Sequence, residues 1–161
     1  MAYLLDANVF IQAKNLHYGF DFCPAFWDWV LRKNKSEELC SIEKIRNELE
    51  AGNDELAKWA GNQDDEFFRP PDQSLVSALA PVSTWVTGQS YEPAAVNTFF
   101  QVADYYLVAY AYAHQHTIVT HEVASPSSKK IKIPNVCIGL KINHMTPYEM
   151  LRKDHARFVL G

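Results

Sequence analysis

The sequence has few cysteines, no long apolar run and no strong excess of either charge. Its three cysteines among 161 residues are far apart and form no CxxC pair, which excludes a disulfide framework and favours reduced thiols. No apolar run approaches the roughly 18 residues of a transmembrane helix. Asp6 interrupts the apolar run near the amino terminus, which also lacks a basic segment, so we expect no signal peptide. We therefore expect a cytoplasmic protein without membrane contact.

The charge balance gives no indication of a general polyanion-binding protein. The formal net charge is -4, from 15 basic and 19 acidic side chains. This excess is too small to indicate such a protein, so contact with nucleic acid would depend on local basic patches.

Three common catalytic or binding motifs are missing from the sequence: Walker GxxxxGK[ST], GxSxG and GxGxxG. P-loop nucleotide hydrolysis, serine hydrolysis and dinucleotide binding therefore have no support.

The apolar pattern predicts one α/β domain over residues 1–161. Short buried strands separated by helical segments are typical of a mainly parallel sheet. The strand candidates are residues 2–5, "TIVT" at 117–120 and a last strand at "VCIG", 136–139.

Helix signals occupy most of the remaining chain. "SIEKIRNELEAG" predicts a helix capped by Ser41, whereas "QDDEFFRPPD" predicts a surface connection. Pro81 is expected to kink or split the helix in which it lies. Near the carboxyl terminus, Thr146 is expected to cap a helix with Pro147 at its first position.

Four acids are candidate metal ligands. They are Asp6 after the first strand, Glu48 on the capped helix, Asp104 in "VADYYLVAYA" and Glu122 after "TIVT". Ligands of parallel sheets gather at the carboxyl ends of the strands, where Asp6 and Glu122 are expected. Carboxylates that share a partly buried place repel each other, and a divalent cation compensates for this. Mg²⁺ and Mn²⁺ prefer oxygen ligands and help water attack a phosphodiester. Asn8 and Thr120 can hold a water or orient a carboxylate.

Each acid also has a simpler structural explanation. Asp6 and Asn8 can cap a helix. Glu48 lies among other charges, where a solvated acid is the usual case. Asp104 is the only charged residue in "VNTFFQVADYYLVAYAYA" and can serve as a helix cap or bond a tyrosine, and Glu122 can be an exposed loop acid. Only the four together, in this order, predict a metal site.

Histidines, lysines and aromatic residues give weaker signals. His114, His116 and His121 lie close in sequence, but a helix end and turn would not present them convergently to zinc. A short basic loop can meet RNA phosphates or be solvated; its members are Lys129, Lys130 and Lys132. The aromatic residues are better explained as core or interface than as base-stacking platforms; they are Phe26, Trp27, Trp29, Tyr105 and Tyr106.

The order of "LLDANVFI", "SIEKIRNELEAG" and "VADYYLVAYAYAHQHTIVTHE" resembles the PIN-domain nuclease superfamily, which includes VapC-type toxins. The PIN pattern has an Asp at the end of its first strand and a small polar residue two positions later, as Asp6 and Asn8 do. It has a helical acid, matched by Glu48; Glu43 falls a turn too early. An Asp then opens a helix, matched by Asp104.

The last PIN element is a strand ending in T-x-D, where this chain has Thr120 and then Glu122 in place of the Asp. The resemblance covers residues 3–122. "KIKIPNVCIGLKI" and "HYGFDFCPAFWDWV" are closer to an uncharacterised bacterial PIN-like family than to VapC itself.

The resemblance implies a three-layer α/β/α sandwich with a mainly parallel central sheet. It further implies an endoribonuclease that binds Mg²⁺ or Mn²⁺ through the four acids, with Asn8 and Thr120 arranging the site. The implied partners are RNA, a cognate antitoxin protein and a second copy of the chain. A catalytically inactive PIN-like module that binds RNA or protein is the alternative, because Glu122 departs from the pattern. A phosphatase of the haloacid dehalogenase type would need an Asp where Asn8 stands.

Overall fold

Short strands and helices follow one another along residues 1–160, which the computed structural model describes. The strands are β1 (Tyr3–Leu5), β2 (Leu39–Ile42), β3 (Phe68–Arg69), β4 (Thr117–Val119) and β5 (His144–Met145). The helices are α1 (Ala7–Gln12), α2 (Pro24–Lys35), α3 (Glu43–Glu50), α4 (Glu55–Gly61), α5 (Gln73–Thr87), α6 (Pro93–Gln101), α7 (Ala103–His114), α8 (Ile133–Leu140) and α9 (Pro147–Lys153). A π-helical turn, Ala13–His17, extends α1.

The strands form one parallel sheet in the order β3-β2-β1-β4-β5. At its centre, Leu4 of β1 pairs with Cys40 of β2 and Ile118 of β4. Helices cover both faces of the sheet, so all of β1 is buried and its sequence is apolar throughout. The predicted three-layer α/β/α sandwich with a parallel central sheet is confirmed.

The strand order reverses between β1 and β4. The chain runs outward from β1 to β3 and then returns to β4 on the other side of β1. Ligands of parallel sheets bind at such a reversal, beyond the carboxyl ends of the strands. Leu5 and Val119, the last residues of β1 and β4, pair with each other. The residues that follow them, Asp6 and Thr120, are therefore neighbours.

Two sequence-based predictions between β1 and α5 were wrong. Ser41 does not cap α3 but lies within β2, where its buried hydroxyl donates to the Leu5 carbonyl at 2.7 Å. The cap residue of α3 is Ile42, which makes no side-chain hydrogen bond there. The segment "QDDEFFRPPD" is not only a surface connection, because Phe67 and Phe68 are buried and the second of them begins β3.

The predicted last strand at "VCIG" was also wrong, because these residues lie in α8. Pro134 stands in the first turn of this helix, and Lys141 ends it in the left-handed conformation. A short apolar run fits either a strand or a buried helix, and only its flanking residues decide between them. The last strand is β5, which the sequence did not indicate.

Of two predictions about helices, the cap at Thr146 is correct and the split at Pro81 is not. The cap at Thr146 is confirmed, since its hydroxyl accepts from the backbone N–H of Glu149, whose carboxylate accepts from the Thr146 N–H in return. Pro81 lies inside α5, which runs unbroken from Gln73 to Thr87, so the predicted split does not occur.

Gly139 allows α8 to approach α5 closely. A Cβ on Gly139 would overlap the indole ring of Trp85. Alanine normally stabilises a helix by about 1 kcal/mol relative to glycine, but overpacking costs about 1–3 kcal/mol. We expect Gly139→Ala to lower the free energy of unfolding by about 1 kcal/mol in urea denaturation. Gly61→Ala is the matched control, because a Cβ there meets Glu50 at an ordinary 3.5 Å. Equal effects of the two substitutions would contradict this account.

Candidate active site at the carboxyl ends of β1 and β4

Asp6 connects the ends of the two central strands. It is buried, with 4% of its surface exposed, and it caps α1. One carboxylate oxygen, Oδ1, accepts from the Ala7 N–H at 2.7 Å. The other, Oδ2, accepts from the Thr120 hydroxyl at 2.9 Å. Helix capping therefore accounts for one oxygen of Asp6, and the second fixes the carboxylate to the end of β4.

Thr120 is the centre of a small hydrogen-bond network. Besides donating to Asp6, its Oγ1 accepts from Asn8 Nδ2 at 3.2 Å and from the Glu122 N–H at 3.1 Å. A hydroxyl has one donor and two acceptor positions, so Thr120 uses all three. Asn8 Oδ1 also accepts from the His121 N–H at 3.1 Å. The side chains of Asn8 and Thr120 thus hold the start of α1 against the residues after β4.

Glu122 has a structural contact as well as a place in the site. Its Oε1 accepts from the backbone N–H of Ile133, the first residue of α8, at 2.9 Å. A carboxylate at a helix amino terminus is favourable, because the unpaired N–H groups carry partial positive charge. The Glu122 side chain therefore also orders the basic loop that precedes α8.

All four predicted acids line one cleft of about 900 Å³, which we call the acidic cleft. Asp6 and Glu122 reach it from the ends of β1 and β4. Glu48 comes from α3, and Asp104 comes from the first turn of α7. The volume is at the upper end of the range of small-ligand sites, about 300–1,000 Å³.

Sequence analysis missed several residues of the acidic cleft. They are Lys44, Asn47, Thr98 and Gln101. Lys44 lies four residues before Glu48, so helical spacing alone was enough to place both on one face of α3. The two residues on α6 had no such signal, because their position depends on how that helix packs. Of the basic loop, Lys129 and Lys130 line the cleft.

Other candidates lie outside the acidic cleft. Glu43 lines a separate small cavity beside Tyr110. His114 contacts Asp72 at 2.7 Å, and His116 accepts from the backbone N–H of Ala2 at 3.1 Å.

Three acids of the cleft, Asp6, Asp104 and Glu48, have raised pKa values. Burial raises the pKa of Asp6 to about 8, with the charge of Asp104 adding to the effect and the Thr120 hydrogen bond opposing it. Burial also raises the pKa of Asp104 to about 6, and the charges of Glu122 and Glu48 raise it further. Although Glu48 is exposed as a whole, partial burial of its carboxyl raises its pKa. Negative charge is therefore crowded at this place.

Positive charge near the acidic cleft compensates for this crowding only in part. Lys130 and Lys132 lower the pKa of Asp104, but burial and the other acids outweigh them. Among residues 1–160, no lysine lies within 4.0 Å of a carboxylate of the four acids. The acids thus carry negative charge that is compensated only in part and that a cation would neutralise.

The donor set fits a hard divalent cation in its chemistry. All four side chains offer carboxylate oxygens, which Mg²⁺ and Mn²⁺ prefer. Within the described part of the chain, no three His, Cys, Asp or Glu side chains already lie together as metal ligands. The Asp104 and Glu48 carboxylates accept no hydrogen bond from residues 1–160, so their side chains are not held in place by one. Binding of a cation would therefore require rotation of these side chains.

These features define an α/β protein with an acidic cleft at the reversal point of its parallel sheet. Residues 3–158 match the family described as "Domain of unknown function (DUF4411)", and the chain belongs to this family. No curated protein and no solved structure matches the chain. Over residues 1–160, none of the helices has the length and apolar character that crossing a membrane requires.

Proposed function

We propose that this protein is a divalent-metal-dependent endoribonuclease with a PIN-like fold, hydrolysing RNA phosphodiester bonds in the cytoplasm. The observation that carries the proposal is the meeting of Asp6, Glu48, Asp104 and Glu122 in one cleft. These acids come from distant parts of the chain, and the cleft lies where a parallel sheet binds its ligands. Their order along the sequence is that of the PIN pattern.

In this proposal the four acids hold Mg²⁺ or Mn²⁺. Such a cation activates water and neutralises charge on the phosphodiester. Asn8 and Thr120 keep the Asp6 carboxylate in a single orientation through the contacts described above. Lys129 and Lys130, which line the same cleft, supply positive charge for the RNA backbone.

The proposal includes two protein partners. On the basis of the PIN resemblance, they are a cognate antitoxin protein and a second copy of the chain.

RNA cleavage tests the proposed activity. We expect wild-type protein to cut a labelled single-stranded RNA with Mg²⁺ or Mn²⁺ and not with excess EDTA. Asp104→Asn should lower the rate about 100-fold or more, since even outer partners of a metal site contribute 10–100-fold. Asp28→Asn is the matched control, because Asp28 is exposed on α2 and lies outside the acidic cleft. Cleavage by Asp104→Asn at the wild-type rate would contradict the mechanism.

A second candidate function is a catalytically inactive module that binds RNA or protein. It is favoured by the lack of a ready-made ligand group among residues 1–160 and by the use of Glu122 in capping α8. In that case the cleft would bind RNA equally well with and without divalent cations.

A further inference from the structure

Lys44 lies at the border between the acidic cleft and the small cavity beside Tyr110, since it lines both and its contact Tyr106 lines the second. Its ammonium nitrogen lies 4.4 Å from the centre of the Tyr106 ring, a distance typical of a cation–π contact. Lys44 stands one helical turn before Glu48 on α3, and Tyr106 stands two residues after Asp104 on α7. The contact therefore joins the two helices that carry two of the four acids.

The positive charge of Lys44 is not used by a neighbouring acid. A lysine four residues before a glutamate is at the spacing of a helical ion pair. Nevertheless, no ion pair forms between Lys44 and Glu48 in the described residues, and the ammonium group lies on the aromatic ring instead. The ring covers one side of the ammonium group, and Lys44 as a whole remains exposed. It is thus a positioned cation with N–H groups available to an anion.

The other lysines of the cleft differ from Lys44 in how they are held. Lys129 and Lys130 belong to a loop whose backbone is fixed, since Ser125 and Asn135 exchange two hydrogen bonds of 2.9 Å. Over residues 1–160, however, no ion pair or ring contact involves the ammonium group of either lysine. Of the lysines lining the cleft, Lys44 is the one whose ammonium group the fold itself positions.

We propose that Lys44, held on the ring of Tyr106, is a positioning residue that binds a phosphate of the RNA beside the acids of the cleft. This inference rests on the proposed function, because it takes RNA as the ligand. It adds the residue that places the RNA backbone. The four carboxylates repel that backbone, so a fixed cation on the helix that carries Glu48 gives a phosphate a favourable position at the wall of the cleft.

The salt dependence of RNA binding tests this role. The probe is a short fluorescein-labelled single-stranded RNA, bound to Asp104→Asn protein so that it is not cut, and followed by fluorescence anisotropy at increasing KCl. Each phosphate contact to a single strand contributes about 0.7 to the slope of log Kd against log salt. We expect Lys44→Gln to weaken binding and to reduce this slope by about 0.7. Lys44→Arg should retain the slope, because arginine also carries the charge and packs on aromatic rings.

Matched variants separate phosphate binding from a role in folding. Lys35→Gln should leave affinity and slope unchanged. Lys35 is exposed at the end of α2, shortly before β2 begins, and so lies near the amino-terminal ends of the strands. Tyr106→Phe keeps the ring and should behave like the parent protein, whereas Tyr106→Leu should weaken binding. An unchanged slope in Lys44→Gln, an equal change in Lys35→Gln, or no RNA binding by the parent protein would each overturn the inference.

A parallel kinetic measurement keeps the two proposals apart. In otherwise wild-type protein, Lys44→Gln should raise KM for RNA and leave kcat nearly unchanged, since the contact is present before and during the reaction. If the wild type cuts RNA but the slope is insensitive to Lys44, the inference fails and the proposed function stands. If the slope falls but no RNA is cut, the nuclease proposal fails and Lys44 remains a phosphate-binding residue.

Discussion

Millimolar Mn²⁺ is expected to raise the unfolding temperature of the wild-type protein by about 5–10 °C and that of Asp104→Asn by little. A ligand that binds only the native state stabilises it by about 2.7 kcal/mol at a hundredfold excess over its dissociation constant. In a chain of this size, each kcal/mol raises the unfolding temperature by about 2–4 °C. The difference is expected because Asp104 lies among the crowded charges, with its pKa raised by burial and then by the charges of Glu122 and Glu48.

Thermal unfolding with and without Mn²⁺ needs no knowledge of the RNA substrate. Asp28→Asn serves as the control and should respond like the wild type. Equal shifts in wild type and Asp104→Asn would place the metal outside the acidic cleft. No shift in either protein would support a module that binds without metal.

The centre of the fold was predictable because its signals are local. "YLL" and "TIV" are apolar runs that end at polar residues, and both form central strands buried on two faces. The cap at Thr146 depends on residues that are neighbours in sequence. For each of these elements, the structure predicted from the local sequence agrees with the structure in the fold.

The outer strands were not predictable from local patterns. β3 and β5 have two residues each, and they are strands only because a neighbouring backbone offers hydrogen bonds. Ser41 had the right residue type for a helix cap, but it pairs in β2 and bonds the Leu5 carbonyl instead. In these cases, a contact with a distant part of the chain decided between two locally acceptable structures.

All four acids that line the cleft were named from the sequence, whereas one of its lysines, Lys44, was not. Asp6 and Glu122 follow strands that the sequence reveals, so the sheet brings them together. Asp104 could be predicted because it is an isolated charge in an apolar helix. Lys44 did not, because a lysine on an amphipathic helix is usually solvated, and its importance depends on the packing of α3 against the Tyr106 ring.

The stability of the metal-free protein should fall as pH rises, and Asp104→Asn should reduce this loss. The folded state raises the pKa of Asp104 from 3.8 to about 6. Below about pH 4 the carboxyl is protonated in both states, and its contribution to stability is fully present. Between these two pKa values the unfolded chain releases the proton first, so the folded state becomes less stable. Asparagine cannot ionise, and we expect the variant to be more stable than wild type by about 3 kcal/mol at neutral pH.

Urea denaturation of both metal-free proteins at several pH values measures this difference. The two free energies of unfolding should be similar near pH 4 and diverge up to about pH 6. They should diverge further towards pH 8, because the charge of Asp104 adds to the raised pKa of Asp6 in the wild type alone. Both proteins should continue to lose stability towards pH 8, because burial raises the pKa of Asp6 to about 8. A helix-terminus role for Asp104 gives the opposite sign, since loss of a negative charge in the first turn of α7 would destabilise the variant. With Mn²⁺ present, the wild type should instead gain stability as pH rises, because a cation binds only the deprotonated acids. A reversal confined to the wild type would show that the crowded carboxylates are arranged to bind a cation.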